Sequence, residues 1–378
     1  AVYIVKLLSD IARSQSGDFL GEDSMFSDFF QGGYQDAAKD LRIGLVVPQV
    51  SLRKTISKVF KKIPGLEKMK VLTPFDVGAA SEKFDLLIVD EAHRLNQRSN
   101  QPAATLNIKF RENNVHLFGA DSPSYTQLDW IKQQSKNQIF LLDENQSVRP
   151  HDLPREVTQG LISAARQSGT FFKLLSQMRV KAGAEYLSYI ERLLDGDSDL
   201  GLPDFGDYEF GMFNDFGNMR KYIEAKDRDK GLARIIAGFA WPWKSKTGAA
   251  FDFELDGVPC IWNRTDEDWV NSKTALREVG SIHTIQGYDL NYAGVIIGPD
   301  IKFDEASQRV VFSRSDYFDK KGMENNKVLN KEYSDEDLLV FVKNIYGVLL
   351  TRGIFGTSIY VCDPALRGKF SSILPSME

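Results

Sequence analysis

Two adjacent carboxylates, Asp90 and Glu91, close the apolar run at residues 84–89 in the string FDLLIVDEAH. On a parallel sheet, ligands bind at the C-terminal ends of strands, which is where such a run delivers them. In a nucleotide hydrolase the first carboxylate would hold Mg²⁺ and the second would polarise the attacking water. The same pair also suits the first turn of a following helix. Residues 139–146, IFLLDENQ, repeat the pattern and end in Asp143 and Gln146. A neutral amide there can orient a water and report on a γ-phosphate, while a capped turn would use the same letters.

Further along, Gln177-Met178-Arg179 and Leu350-Thr351-Arg352-Gly353 each offer an arginine. An arginine reaching a γ-phosphate is worth roughly 10³–10⁵ in rate, and a surface ion pair is the plain alternative. Residues 283–289 read HTIQGYD. Gly287 permits close backbone approach, His283 and Thr284 offer donors for a strand phosphate, and Asp289 could take a ribose hydroxyl. The most basic stretch, 52–63 (LRKTISKVFKKI), places Leu52, Ile56, Val59, Phe60 and Ile63 on one helical face and Arg53, Lys54, Lys58, Lys61 and Lys62 around the rest. It is either a phosphate-facing helix or a solvated amphipathic one. Trp241 and Trp243 could stack on bases or wedge against a sheet; Thr73 and Tyr125 are weaker candidates of the same kind.

The elements that must position these groups alternate between β-branched runs and helical stretches, the signature of parallel sheets wrapped by helices. Strands are expected at 42–47, 84–89, 115–118 and 139–142, then at 171–175, 232–239, 258–261, 279–281, 292–297 and 358–361, with a further one at 309–312. Segments 14–40, 195–215 and 301–337 read as loops or insertions. The chain has 378 residues, enough for two α/β domains, and Pro150, Pro154, Gly160 and Gly169 mark a boundary near 150–168. Cys260 and Cys362 lie far apart without CxxC spacing, and the four histidines show no ligand spacing. This fits a reducing, cytoplasmic setting and gives no zinc motif. No apolar run approaches the roughly 20 residues that span a bilayer. The net charge of −5 does not advertise a nucleic-acid binder, so any strand contact must be local.

In order, VDEAH, LLDENQ, QMR, HTIQGYD and LLTRG resemble motifs II, III, IV, V and VI of superfamily 1 helicases, and Pro48-Gln49 resembles motif Ia. LSQMRVKAGAEYL, AGFAWPW and IHTIQGYDLNYAGVIIGPD are similar to signatures of the Schlafen-type, helicase-like ATPase family of bacterial and phage proteins. The resemblance covers essentially the whole chain. It implies two tandem RecA-like parallel-sheet domains of the P-loop NTPase fold, the first lobe at 1–160 and the second at 165–378. It also implies ATP and Mg²⁺ as cofactors and a single-stranded DNA or RNA partner engaged by Pro48, Gln49, His283, Thr284, Trp241 and Trp243. Asp90, Glu91, Gln146, Arg179 and Arg352 take the catalytic positions, with Asp143, Gly287 and Asp289 on the nucleotide. The core is expected to be monomeric, with a nuclease domain fused or in partnership.

No G-x-x-x-x-G-K-[ST] occurs in the sequence. Relatives place that loop just before the helix that residues 1–12 resemble, so the first domain is expected to be truncated at its N-terminus and this chain to be unable to hydrolyse ATP alone. The alternatives are a catalytically silent nucleic-acid- or protein-binding module, or a nucleotide-driven switch in a defence or repair protein with an attached nuclease. The short connections between motifs favour a compact translocase over a processive unwinder.

Overall fold

Leucine- and valine-rich runs become strands buried on both faces, as expected for parallel sheets covered by helices. The computed structural model describes residues 1–13, 26–30, 33–101, 103–174, 180–197, 199–248, 251–265, 267–285 and 287–378. The chain forms two compact units. One holds residues 1–144, 151–159 and 326–331, and the other residues 145–150, 160–325 and 332–378.

The first unit runs α1 (Val2–Arg13), α2 (Tyr34–Lys39), β1 (Ile43–Val46), α3 (Val50–Phe60), β2 (Val71–Leu72), α4 (Pro74–Gly78), β3 (Phe84–Val89), α5 (Ala104–Phe118), α6 (Gln127–Gln133) and β4 (Ser135–Phe140). Among the described residues its strands make a four-stranded parallel sheet in the order β2-β1-β3-β4. Val46 pairs with Val89, and Val89 with Phe140. The residues that follow β1, β3 and β4 therefore emerge along one edge. Val5, Leu45, Ile56, Phe60, Leu66 and Ile88 form a core beneath it.

The expected strand at 115–118 is instead the last turn of α5, which ends at Gly119 in the left-handed conformation. A four-residue apolar run cannot distinguish strand from helix by itself, and the helical residues before it decide the outcome.

The division between the units falls within α7 (Arg155–Gln167). The second unit continues with α8 (Ala184–Asp195), β5 (Glu209–Met212), α9 (Phe216–Lys230), β6 (Ala233–Ala237), β7 (Phe253–Leu255), β8 (Val258–Cys260), β9 (Val279–Ser281) and α10 (Ile282–Ile285). It ends with β10 (Leu290–Ile297), β11 (Ile301–Asp304), β12 (Arg309–Phe312), α11 (Asp335–Leu350), β13 (Gly353–Val361) and α12 (Pro364–Ser371). Its main sheet is five-stranded among the described residues, parallel, in the order β5-β13-β10-β6-β9. Each unit is thus a RecA-like α/β layer structure, as the motifs implied.

Residues 171–174 form no strand, and Leu175 lies outside the described residues. The run at 258–261 pairs antiparallel with β7 in a separate hairpin rather than joining the main sheet. Strand β5 lies inside the acidic stretch read as a loop; Phe210 and Met212 alternate into the core, a pattern masked by the Gly and Asp residues around it. Among the described residues no helix is long and apolar enough to cross a membrane.

Candidate functional site

In the first unit Asp90 sits one residue past β3, its N–H bonded to Val46 O at 2.9 Å. Oδ1 accepts from Glu91 N–H at 3.2 Å. Burial pushes the Asp90 carboxyl above its ordinary range, and the neighbouring Glu91 charge adds to it. Glu91 has φ 51° and ψ 45°, a left-handed conformation that non-glycine residues rarely hold. Such backbone costs about 1–3 kcal/mol and gathers at functional sites. Here it turns the chain sharply out of the sheet into the short 3₁₀ helix Ala92–Arg94.

His93, 2% exposed, ties this turn to the end of β4. Its Nδ1 accepts from Asp143 N–H at 3.3 Å, so Nε2 carries the hydrogen, and it lies 3.0 Å from Glu91 Oε2. The buried imidazole thus lies against the second carboxylate at ion-pair distance, without a hydrogen bond between Nε2 and Oε2. Pro48 and Gln49 follow β1 on the same sheet edge, both half-buried, and Arg53 Nη1 donates to Val47 O and Pro48 O at 3.0 and 3.3 Å. Helix α3 buries Ile56 and Phe60, whereas Val59, expected on the same face, is 42% exposed. Thr73 is the N-cap of α4, and Tyr125 stacks on Phe118 at 4.1 Å.

In the second unit β9 runs directly into α10, which carries His283 and Thr284. Thr284 is 1% exposed and donates to Ser281 O at 2.8 Å and Asn263 Oδ1 at 3.3 Å. His283 is partly exposed. Its Nε2 lies 2.9 Å from Asp319 Oδ2 and 2.7 Å from Arg149 Nη2, and Arg149 Nε and Nη2 donate to the same carboxylate oxygen at 3.0 and 2.8 Å. Burial alone would raise the Asp319 carboxyl, but the His283 hydrogen bond and the Arg149 charge outweigh it and hold the group far below the ordinary range.

Arg149 belongs to residues 145–150, a short strap built into this unit. Val148 is fully buried, Asn344 Nδ2 donates to Ser147 O at 2.7 Å, and Tyr333 OH donates to Pro150 O at 3.0 Å. Gln146 is half-buried in the same strap, at the end of the 3₁₀ helix Glu144–Gln146.

These letters and their placement select a family. A model described as Schlafen group 3, DNA/RNA helicase domain, matches residues 42–363. The chain belongs to this family. It is the family that the motifs resembled.

An uncharacterized protein of Saccharomyces cerevisiae is 31% identical over 221 residues, covering 54% of this chain and 48% of that protein. The chain thus spans about half the length of that curated relative. Among solved structures, the helicase nonstructural protein 10 of an arterivirus is similar at 15% identity and a TM-score of 0.34, covering 87% of this chain and 55% of that one. A complex of the same viral protein with DNA is similar at 15% identity and a TM-score of 0.33, over 88% and 57%.

In this helicase domain Arg352, expected to reach a γ-phosphate, is 1% exposed. Nε donates to Val348 O at 2.9 Å, near the C-terminus of α11 where carbonyls attract a cation. Nη1 donates to Tyr288 O at 3.3 Å, and Leu290 N–H donates to Arg352 O at 2.9 Å. The guanidinium therefore braces the turn that holds Gly287, whose φ of 88° demands glycine. Asp289 is exposed just beyond.

Trp241 stacks on Phe253 at 4.1 Å, which covers one face. Trp243 packs tilted on Phe239 and Trp262 with Lys246 Nζ over its ring, and both tryptophans are half-buried. Arg179 lies outside the described residues. Sequence reasoning missed His93, Arg149 and Asp319. His93 was legible, because its spacing from Glu91 is local. The Arg149–Asp319 pair spans 170 residues, and nothing in either neighbourhood announces the other.

Proposed function

We propose that the protein is the motor core of an ATP- and Mg²⁺-dependent ATPase acting on single-stranded nucleic acid. The observation that carries this reading is the Asp90–Glu91 pair at the C-terminal end of β3, with a buried His93 at ion-pair distance from Glu91. A carboxylate that burial makes costly to ionise suits a hard divalent cation, and Mg²⁺ takes one or two protein carboxylates and completes its shell with phosphate and water oxygens.

Asp90 would hold Mg²⁺, which offsets the charge developing on the phosphate oxygens. Glu91 would accept the proton of the attacking water. Gln146 would orient that water, Arg179 would meet the γ-phosphate, and Asp143, Gly287 and Asp289 would contact the nucleotide. Arg352 takes a bracing role. Pro48, Gln49, His283, Thr284, Trp241 and Trp243 would meet the strand.

The test is phosphate release by the full-length protein with and without oligothymidylate. Strand-stimulated turnover is expected, and Glu91→Gln should keep ATP binding while slowing turnover by roughly 10²–10⁴-fold. Absence of turnover with any single strand would leave a catalytically silent binding module as the better reading.

A further inference from the structure

Residues 51–70 carry seven basic side chains and one acidic one, in a chain whose net charge is −5. Helix α3 leaves the sheet edge that holds Pro48, Gln49 and Asp90, and its 11 residues span about 16 Å. The four residues of β1 rise only about 13 Å. Strands β1 and β2 run parallel, with Leu45 beside Val71. Residues 61–70 therefore lie at the far end of α3, toward the opposite edge, where the chain turns back into β2.

This return is an ordered basic loop. Phe60 and Leu66 are buried, Ile63 N–H donates to Phe60 O at 3.2 Å, and Met69 N–H donates to Leu66 O at 2.9 Å. Ser9 Oγ and Arg13 Nη2 clamp Gly65 O, each at 3.1 Å. Lys61, Lys62, Lys68 and Lys70 are all exposed on this frame. Among the described residues no carboxylate lies at ion-pair distance from these four, and the exposed Arg13 adds a fifth cation beside them. Glu67, the one acid of the loop, turns its carboxylate to Gly65 N–H at 2.9 Å. At the starts of the other strands the charges neutralise one another: Arg42 pairs with Glu82 at 3.0 Å and Lys136 with Asp85 at 2.7 Å.

Unpaired lysines gathered on an acidic chain suit a polyanion, which releases counterions as its phosphates are neutralised. In a DNA/RNA helicase domain that polyanion is nucleic acid. No aromatic residue occurs in 61–70, so the loop lacks the stacking platform that holds single strands. It offers charge alone, which matches the regular phosphate backbone of a duplex.

We propose that Lys61, Lys62, Lys68 and Lys70 form a second nucleic-acid contact, one that holds the phosphate backbone of a duplex away from the edge carrying Asp90.

The experiment is the anisotropy of a labelled blunt duplex, of DNA and separately of RNA, titrated with full-length protein at several salt concentrations. A variant with Lys61→Gln, Lys62→Gln, Lys68→Gln and Lys70→Gln should lose roughly tenfold or more in duplex affinity at low salt. Its slope of log affinity against log salt should fall by about 0.9 for each phosphate left without its lysine. A charge-matched variant with glutamine at the exposed Lys109, Lys173, Lys221 and Lys327 should bind as the wild type does. Loss on either duplex supports the proposal and tells DNA from RNA. Wild-type protein that binds neither duplex, an unchanged slope in the first variant, or an equal loss in the second overturns it. So does an equal loss on oligothymidylate, which would move the lysines to the single strand. Equal displacement of duplex by polyglutamate would make an acidic protein the occupant and also sink the proposal. If the fourfold variant does not fold, the pair Lys61 and Lys62 and the pair Lys68 and Lys70, changed separately, decide by the same slope. None of these readouts needs ATP turnover, so failure of the motor reading leaves the proposal standing.

Discussion

Asp300 shows what a single buried carboxylate does to this fold. It is fully buried past the end of β10, with Oδ1 accepting from Tyr346 OH, which in turn accepts from Gly298 N–H at 2.8 Å. Burial raises its carboxyl to about 7, against which the Tyr346 hydrogen bond pulls only partly. Between the ordinary carboxylate value of about 3.9 and about 7 the folded state binds a proton that the unfolded state does not. Stability from this group is present at acid pH and lost as pH rises through that window, by at most about 1.4 kcal/mol per unit. Asp300→Asn should therefore gain on the wild type as pH is raised from about 5 to about 8, read as the difference in urea midpoint. A constant difference across that range would rule out the buried acid as its source. At this scale the placement of Asp90 and Glu91 at the end of β3 was legible because it is local to one apolar run. The burial of Arg352 was not, because its bonds to carbonyls from α11 and from the turn at Tyr288 are decided by tertiary packing.

At the scale of elements, β9 delivers α10 and His283, and its placement depends on one missing side chain. A Cβ on Gly280 would lie 2.3 Å from Trp269 Cζ3 and 2.5 Å from Cη2. The indole cannot retreat: it is fully buried, and Nε1 donates to Glu278 Oε2 at 2.9 Å. Gly280→Ala should cost about 1–3 kcal/mol by overpacking, measurable by denaturant unfolding, and should weaken strand binding by shifting the segment that follows. Wild-type stability in this variant would show that the ring yields. Helix α11 gives a milder case. Ser334 and Asp337 form a reciprocal cap at its start, so Ser334→Ala should cost about 1 kcal/mol in the same assay. The strands at 84–89 and 309–312 were readable because apolar runs there are bounded by turn residues and match strand length. The run at 115–118 was misread because the helix preceding it, not its own composition, sets its conformation.

For the whole molecule, the charge of −5 opposes a polyanion, so strand affinity must come from a few placed cations. Lys61 and Lys62 are exposed just beyond α3. If this end of the helix meets the strand, alanine at both should lower the slope of log affinity against log salt by about 0.7 for each phosphate left without its lysine. An unchanged slope in a binding titration would remove α3 from the interface. The two-domain character was legible from length and the alternation of elements. The traffic of the chain between the units was not, because it depends on hydrogen bonds such as Asn326 Nδ2 to Arg98 O that join residues far apart in sequence.

Residues 145–150 and 326–331 each belong to the unit opposite to the one holding most of their sequence neighbours. No single break in the gene therefore yields both units whole. A piece beginning at residue 160 would leave behind Val148, which fills its core, and Arg149, which pairs with Asp319. Exchange of one unit for that of a relative would therefore have to carry these two hexapeptides with their structural partners to keep both cores filled.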